Sequence, residues 1–134
     1  MTQKMLQECR RRRRKIRRLN ENIAKLRSEM ESTTKALSFA PPGGGGQQDK
    51  LGEQICSFIE LINQKANQVL ALESLKNKVE KWASTLPEQQ GLIVCLRYVD
   101  GLPWKKVAKE SSYSEDHCYT IHRAALRKCT DWKR

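Results

Sequence analysis

The strongest chemical signal in the sequence is a run of basic side chains at residues 10–18, where eight of nine positions are Arg or Lys. Such a run can bind nucleic-acid phosphates, because each phosphate that a cation neutralises releases counterions. It can also be an arginine-rich RNA-binding helix, or a solvated helix start whose charge aids solubility. The sequence leaves these alternatives open for the basic arm, which consists of Arg10, Arg11, Arg12, Arg13, Arg14, Lys15, Arg17 and Arg18.

Residues that could perform enzymatic chemistry do not combine into a recognisable site. No nucleophile is spaced with a base, and no pair of carboxylates lies in an apolar context. The glycines at 43–46 lack the Lys-Ser/Thr and the preceding strand of a phosphate-binding P-loop. We therefore expect no enzymatic activity and no cofactor.

The cysteines do not form a metal-binding or disulfide framework. There are five, widely spaced, and no two stand in a Cys-x-x-Cys pair, so we expect reduced, mostly buried thiols. Cys118 and His122 are four residues apart and could share a metal ion. Because only two such ligands lie on that face, and Cys118 falls on a buried stripe, we expect no metal site.

The charge distribution favours an anionic partner. The net charge is +11; residues 1–30 hold 11 Lys/Arg against 3 Asp/Glu, residues 31–85 hold 6 against 6, and residues 86–134 hold 9 against 6. With 38% hydrophobic and 6% aromatic residues, the chain predicts elongated helices plus one small globule. No long apolar run or signal peptide is present, so we expect a cytoplasmic protein without a membrane partner.

The N-terminal region predicts a long helix with a heptad seam from Met5 to about Leu37. Apolar positions alternate spacings of four and three, and the seam is unbroken from Ile16 to Met30. The seam positions are Met5, Cys9, Arg12, Ile16, Leu19, Ile23, Leu26, Met30, Thr33 and Leu37.

A second long helix is predicted from Asp49 to about Ser84, after a flexible Pro/Gly linker at 40–48. Two helices of similar length with a short connection most simply fold back as an antiparallel hairpin, giving a hairpin or coiled-coil domain at residues 1–85. The predicted buried stripe of this helix is Leu51, Ile55, Phe58, Ile62, Ala66, Val69, Leu72, Leu75 or Lys76, Val79 and Trp82.

Extra apolar residues beside that stripe predict self-association through the hairpin, with a dimer favoured. Ile59, Leu61 and Leu70 lie partly off the stripe. The alternative is that these residues only broaden the intramolecular core.

The C-terminal region, residues 86–134, predicts three short helices. Thr85 and Glu88 have the spacing of a capping box with Pro87 in the first turn, and Leu92, Ile93, Leu96 and Val99 then share one face. Gly101 can take the left-handed conformation that ends the helix.

The second and third helices of this region have their own start and stop signals. Pro103 opens the second helix, in which Trp104, Val107 and Ala108 share a face, and the pattern breaks at residues 111–113. Ser114 is a good N-cap for the third. The third helix is predicted to bury Cys118, Ile121, Ala125, Cys129 and Trp132, with everything between them facing outward.

Seven motifs in this region occur in order: Leu86-Pro87-Glu88, Leu96-Arg97-Tyr98, Gly101-Leu102, Trp104-Lys105-Lys106-Val107-Ala108, Tyr113-Ser114, Ile121-His122 and Arg123-Ala124-Ala125-Leu126. They resemble the promoter-recognising fourth region of bacterial sigma factors. The whole layout is similar to small phage-encoded, sigma-region-like activators of late genes, of the RinA/ArpU type. The resemblance implies an all-α fold, a long antiparallel helical hairpin followed by a three-helix sigma-region-4-like helix-turn-helix module.

The sigma pattern also implies which side chains contact DNA. The third helix presents its N-terminal residues to base edges in the major groove. Where sigma factors place arginines among these readers, this chain has acids, a histidine and an aromatic residue, so its target sequence is not theirs. The implied base readers are Glu115, Asp116, His117, Tyr119 and Thr120, and the implied phosphate contacts are Lys105, Lys106, Lys109, Ser114, Arg123, Arg127 and Lys128.

Two of these assignments carry alternatives. The carboxylates of Glu115 and Asp116 either accept from cytosine or stabilise the helix dipole. Arg97 is expected to be structural, with Glu110 as an available partner.

The expected function is a sequence-specific DNA-binding transcriptional regulator, a phage or prophage activator of late genes that contacts host RNA polymerase. Its expected partners are double-stranded DNA and a second copy of the chain, and its expected place is the cytoplasm, at the nucleoid of a bacterial host. The alternative is a phage DNA-packaging protein of the small-terminase kind, which would assemble as a ring.

Overall fold

The structure, a computed structural model, describes residues 1–39 and 45–133, and it confirms the all-α prediction. The two long helices form a hairpin-like pair, and three short helices follow. No helix within these ranges is long and apolar enough to cross a membrane. The helices are α1 (Gln3–Phe39), α2 (Gly45–Ala83), α3 (Glu88–Val94), α4 (Trp104–Ser111) and α5 (Glu115–Leu126).

The chain divides into two compact units, each of which takes parts of both long helices. The terminal unit comprises Met1–Arg13 and the chain from Leu70 onward, and the hairpin unit comprises Arg14–Val69. The domain boundary predicted at residue 85 does not coincide with this division. The reason is that the first turns of α1 belong to the same unit as the three short helices.

The heptad seam predicted for α1 is confirmed, because all ten of its positions are buried or half-buried. Leu19, Ile23 and Thr33 are the most buried of its positions beyond residue 13. Leu6, which lies off the seam, is also buried, at 1% exposure. It belongs to the terminal unit, where α1 contributes more than one face.

The stripe predicted for the first half of α2 is confirmed at Leu51, Phe58 and Val69, which are half-buried, and is wrong at three other positions. Ile55 and Ile62 are 41% and 39% exposed, and Ala66 is exposed as well. At these three places the half-buried residue is instead the one before it in the chain, which is Gln54, Leu61 or Lys65.

The half-buried stripe shows how polar side chains can line a helix interface. Lys65 can cover apolar surface with its methylene stem while its ammonium group stays near water, whereas the Gln54 Oε1 is buried. The Arg27 guanidinium of α1 lies over the Phe58 ring, 5.7 Å from its centroid, which joins the two helices of the hairpin unit on this side. In the second half of α2 the predicted positions Leu72 and Val79 are buried.

Helix α2 begins earlier than predicted, at Gly45 instead of Asp49. Residues 45–48, predicted as linker, therefore form its first turn. The first N–H groups of any helix lack intrahelical partners, so glycines cost less there than in the interior. The rest of the predicted linker, 40–44, lies outside the described residues.

The turn between α2 and α3 does not use the predicted capping box. The Thr85 hydroxyl donates to the Trp82 carbonyl at 2.6 Å and so closes α2. Pro87 occupies the N-cap position of α3 without a side-chain hydrogen bond. A Cβ added at Gly91 would lie 2.7 Å from the Ala83 carbonyl oxygen, so this glycine permits the close approach of α3 to the end of α2.

A π-helical segment, Cys95–Val99, continues α3 and changes which side chains face inward. The Asp100 N–H donates to the Cys95 carbonyl at 2.9 Å, the wider spacing of a π-turn. Leu92, predicted inside, is 42% exposed, whereas Tyr98 is 6% exposed. Gly101 ends the segment with φ of 70°, as predicted.

Candidate nucleic-acid interface

A small apolar core fixes the orientation of α5. Ile93, Val107, Cys118 and Ile121 are buried together, so α3, α4 and α5 each contribute to it. The buried stripe predicted for the third helix is confirmed at Cys118, Ile121 and Ala125. The helix is shorter than predicted: it ends at Leu126, and the predicted positions Cys129 and Trp132 lie beyond it, Cys129 buried and Trp132 half-buried. The opposite side of α5 is therefore directed to solvent.

The turn that leads into α5 is tight and well capped. Ser112 ends α4 with a left-handed φ of 64°. The Ser114 Oγ accepts the His117 backbone N–H at 3.1 Å, which confirms the predicted N-cap. This geometry sets the position of the first turn of α5 relative to α4.

One exposed face of α5 carries polar side chains at spacings of four, three and four. Asp116 stands in the first turn, Thr120 follows, and Arg123 and Arg127 lie toward the C-terminal end. The Thr120 hydroxyl donates to the Asp116 carbonyl at 3.1 Å, which leaves its lone pairs free to accept. The face thus presents acceptors at one end and guanidinium donors at the other.

The remaining predicted base readers are less freely presented. Tyr119 is 40% exposed and packs on Trp104 with ring centroids 4.8 Å apart. The His117 ring is exposed but meets the Tyr113 ring edge-on at 5.0 Å. Glu115 is half-buried. Both aromatic readers therefore have one side held by a neighbouring ring.

The predicted phosphate-binding cations are all exposed. Three stand on α4, and the others on α5 and in the turn that follows it. They are Lys105, Lys106, Lys109, Arg123, Arg127 and Lys128.

His122 was predicted to face outward and instead forms part of the interior. Its Nε2 shares a hydrogen bond of 2.7 Å with the Tyr98 hydroxyl, and its ring meets Trp104 edge-on at 4.8 Å. Burial above all, together with the charges of Arg97 and Arg10, lowers the pKa of His122 to about 4. The ring is neutral at pH 7, and its hydrogen bond and its ring contact are both made within the three-helix module. The available sequence signal was its position one helical turn after the buried Cys118.

Arg97 is structural, as expected, but its partners are not the expected acid. Its Nη1 donates to the Leu102 carbonyl at 2.9 Å, and its guanidinium lies 4.6 Å from the centroid of the Trp104 ring. Glu110 is exposed and forms no ion pair with it. Burial lowers the pKa of Arg97.

The basic arm is divided between structural and exposed side chains. Arg11 and Arg12 form ion pairs with Glu8 at 3.0 and 3.2 Å. Arg13 donates to the carbonyls of Tyr98 and Val99, where it caps the end of the π-helical segment. The other five members, Arg10, Arg14, Lys15, Arg17 and Arg18, are exposed.

The position of the Arg13 side chain also bears on why residue 101 is a glycine. A Cβ added at Gly101 would lie 2.6 Å from the Arg13 Nε and would displace that side chain, and the positive φ of this residue favours glycine as well. The first turns of α1 and the end of the π-helical segment thus fit each other through Arg13.

In the described part of the chain, no group of three or more His, Cys, Asp or Glu side chains is placed to hold a metal ion. Cys118 has its Sγ 3.5 Å from the Ser111 hydroxyl. Comparison of the chain with protein-family models, curated proteins and solved structures gives no match. What α5 and its surroundings do is therefore inferred from their chemistry.

Proposed function

We propose that this protein is a sequence-specific transcriptional regulator that binds duplex DNA by placing α5 in the major groove. The observation that supports this most directly is the exposed face formed by Asp116, Thr120, Arg123 and Arg127, opposite a stripe fixed in a packed core. A single α-helix fits the major groove, which is about 12 Å wide.

The side chains of this face suit distinct contacts. The Asp116 carboxylate can accept from a cytosine amino group, and the Thr120 oxygen can accept from a base donor. The guanidiniums of Arg123 and Arg127, with the exposed lysines of α4, suit phosphates on either side of the groove. The charges of these arginines and lysines give affinity for any DNA duplex, while the side chains in the first turns of α5 give preference for one base sequence.

The proposal is tested by selecting duplexes from a random pool and measuring their affinity against salt. Neutralising six to ten phosphates lowers affinity by about a thousandfold or more between 50 and 200 mM salt. Arg123→Ala and Arg127→Ala each reduce the slope, whereas Lys78→Ala, an exposed lysine of α2, leaves it unchanged. A salt-independent affinity, or no selected sequence, excludes the proposal.

The more specific role that we propose is activation of phage or prophage late genes, at the nucleoid of the host cell, through recruitment of the host RNA polymerase. Its support is the order of the sigma-like motifs, from Leu96-Arg97-Tyr98 to Arg123-Ala124-Ala125-Leu126. Purified polymerase on a template carrying the selected site tests it, because recruitment raises transcript yield. Reduced yield indicates repression, and a ring-shaped assembly indicates DNA packaging.

A further inference from the structure

An apolar stripe on α2 remains uncovered in the hairpin unit. Ile55, Ile59 and Ile62 are 41%, 54% and 39% exposed, and their spacing of four and three places them on one face of the helix. Ala66, four residues further on, is exposed on the same face. This face is separate from the half-buried stripe that includes Phe58 and packs toward α1.

Gly52 extends the same face by about one helical turn before Ile55 and has no role in the packing of the chain itself. It lies in the helix interior, it is exposed, and a Cβ added there meets nothing within 4 Å. Its φ is not positive, so no backbone conformation requires glycine. An interior glycine costs about 1 kcal/mol relative to alanine. Close approach of another helix backbone would explain the residue.

The stripe is self-complementary about Ile59. Gly52 lies seven residues before Ile59 and Ala66 seven residues after it, while Ile55 and Ile62 lie four before and three after. In an antiparallel pair of α2 helices related by a two-fold axis at Ile59, the glycine of one copy meets the alanine of the other. The isoleucines then form the central layers. The same patch serves both copies, as a two-fold interface requires.

The net charge of this segment is compatible with the approach of a second copy, whereas the positive charge of the rest of the chain would repel one. The chain carries +11, but residues 46–69 hold three acids and two lysines, a net charge of −1. Neither lysine is on the stripe: Lys65 is half-buried with the residues facing α1, and Lys50 lines the polar groove that contains Glu29.

The surface area that a stable interface must bury accounts for the small residues at the two ends of the stripe, Gly52 and Ala66. A stable interface buries about 1,200–2,000 Å² in total, and three partly exposed isoleucines supply only a small fraction. The whole length from Gly52 to Ala66, about 21 Å at 1.5 Å per residue, must therefore come into contact. Gly52 and Ala66 allow this because they let the two backbones approach.

We propose that Gly52, Ile55, Ile59, Ile62 and Ala66 form an antiparallel two-fold interface between two copies of this chain. The proposal does not depend on DNA binding, so either can fail without the other. A single charged side chain substituted at the centre of the interface is enough to dissociate the dimer. Both copies carry the substitution, so two like charges meet at the two-fold axis.

Sedimentation equilibrium of the full chain tests the interface. The wild-type chain is expected to be a dimer and Ile59→Glu a monomer with unchanged helical circular dichroism. Gln64→Glu, which adds the same charge at an exposed position of α2 off the stripe, stays dimeric. A wild-type chain that is monomeric into the millimolar range, or an Ile59→Glu variant that dimerises as tightly as wild type, overturns the proposal.

Gly52→Leu separates the interface from ordinary helix stability. The space around Gly52 is open, and leucine is a better helix former, so the variant monomer is at least as stable as the wild-type monomer. The leucine side chain blocks close approach, and dimer affinity falls by roughly tenfold or more, equivalent to about 1.4 kcal/mol. Unchanged affinity contradicts the role of Gly52.

Cysteine cross-linking decides the orientation. In a Cys56→Ser background, which removes the exposed native thiol, Ile55→Cys is mixed with Ile62→Cys and treated with a mild oxidant. The antiparallel arrangement brings these two positions together, so the mixture forms a disulfide-linked pair that neither variant forms alone. If each variant cross-links with itself and mixing the two gives no further cross-linking, the antiparallel arrangement is refuted. The control is the background chain without an added cysteine.

Discussion

The carboxylate of Asp131 accepts the backbone N–H of Gln3 at 2.6 Å and that of Lys4 at 3.3 Å. Residues that follow α5 thereby cap the start of α1, and the Thr130 N–H adds a bond of 3.0 Å to the Met1 carbonyl. These hydrogen bonds lower the pKa of Asp131. The first turns of α1 are therefore held at both ends, by Asp131 at the start and by Arg13 at the π-helical segment.

Asp131→Asn is expected to lower the melting temperature of the protein near pH 7, because the charged acceptor at a helix N-terminus is lost. The pKa of Asp131 is lower in the folded than in the unfolded chain, so its stabilisation is present above an unfolded pKa near 3.8 and is lost as pH falls below it. The difference between wild type and variant in thermal melts should accordingly vanish in acid. Glu110→Gln, an exposed acid on α4, serves as the control; an equal effect there would contradict the capping role.

Arg13→Ala is expected to lower the free energy of unfolding by about 1.5–3 kcal/mol, the contribution of hydrogen bonds to a charged group. The variant leaves the carbonyls of Tyr98 and Val99 without this donor. Urea unfolding measures the change. The adjacent Arg14→Ala removes an exposed arginine and should change stability by less than about 0.5 kcal/mol. If both variants behave alike, Arg13 belongs functionally with the exposed basic arm.

Stability should fall as pH decreases from about 6.5 to about 4, because His122 is neutral in the folded chain and the unfolded chain binds a proton in this window. The partly exposed ring suggests a loss of about 1–2 kcal/mol across the window. Urea unfolding at several pH values measures it. His122→Gln, which can still bond the Tyr98 hydroxyl, should flatten the dependence, and His117→Gln should not; a slope unchanged by His122→Gln would assign the effect elsewhere.

Ser112→Gly is expected to raise the free energy of unfolding by about 0.5–1 kcal/mol. The left-handed conformation costs a non-glycine residue about 1–2 kcal/mol, and the added flexibility of the unfolded glycine offsets part of that gain. Ser111→Gly is the matched control, because Ser111 is helical and its hydroxyl donates to the Ala108 carbonyl at 3.2 Å. That control should be destabilised, and a destabilised Ser112→Gly would contradict the strain.

Tyr119→Ala and His117→Ala are expected to reduce the preference for a selected duplex over a random one by about 1–3 kcal/mol, whereas Lys105→Ala weakens both alike. Tyr119→Phe keeps the ring that packs on Trp104 and removes only the hydroxyl, which separates hydrogen bonding from packing. Competition binding against random duplex measures the preference. Uniform weakening by all these variants would reject the distinction between base readers and phosphate contacts.

Local sequence signals predicted the features of the fold that depend on neighbouring residues. The Ser114 cap, the left-handed Gly101 and the heptad seam of α1 were predicted because each follows from a side chain or a backbone preference within one or two helical turns. The buried stripe of α5 was predicted for the same reason. The specific function was predicted through the sigma-like motifs, together with the basic charge of the chain, and it stays a prediction.

The sequence by itself determined that the chain is helical, where α4 and α5 begin, and which side of α5 is buried, because helix propensity, capping and periodicity act over short distances. The tertiary structure alone decided that Arg13 caps the π-helical segment, that Asp131 caps α1, and that the Arg27 guanidinium lies over the Phe58 ring. Each of these contacts joins residues far apart in the chain. Local sequence rules do not distinguish between two neighbouring apolar stripes on one helix, or between eight similar arginines and lysines. Which of them is buried depends on the distant part of the chain that packs against it.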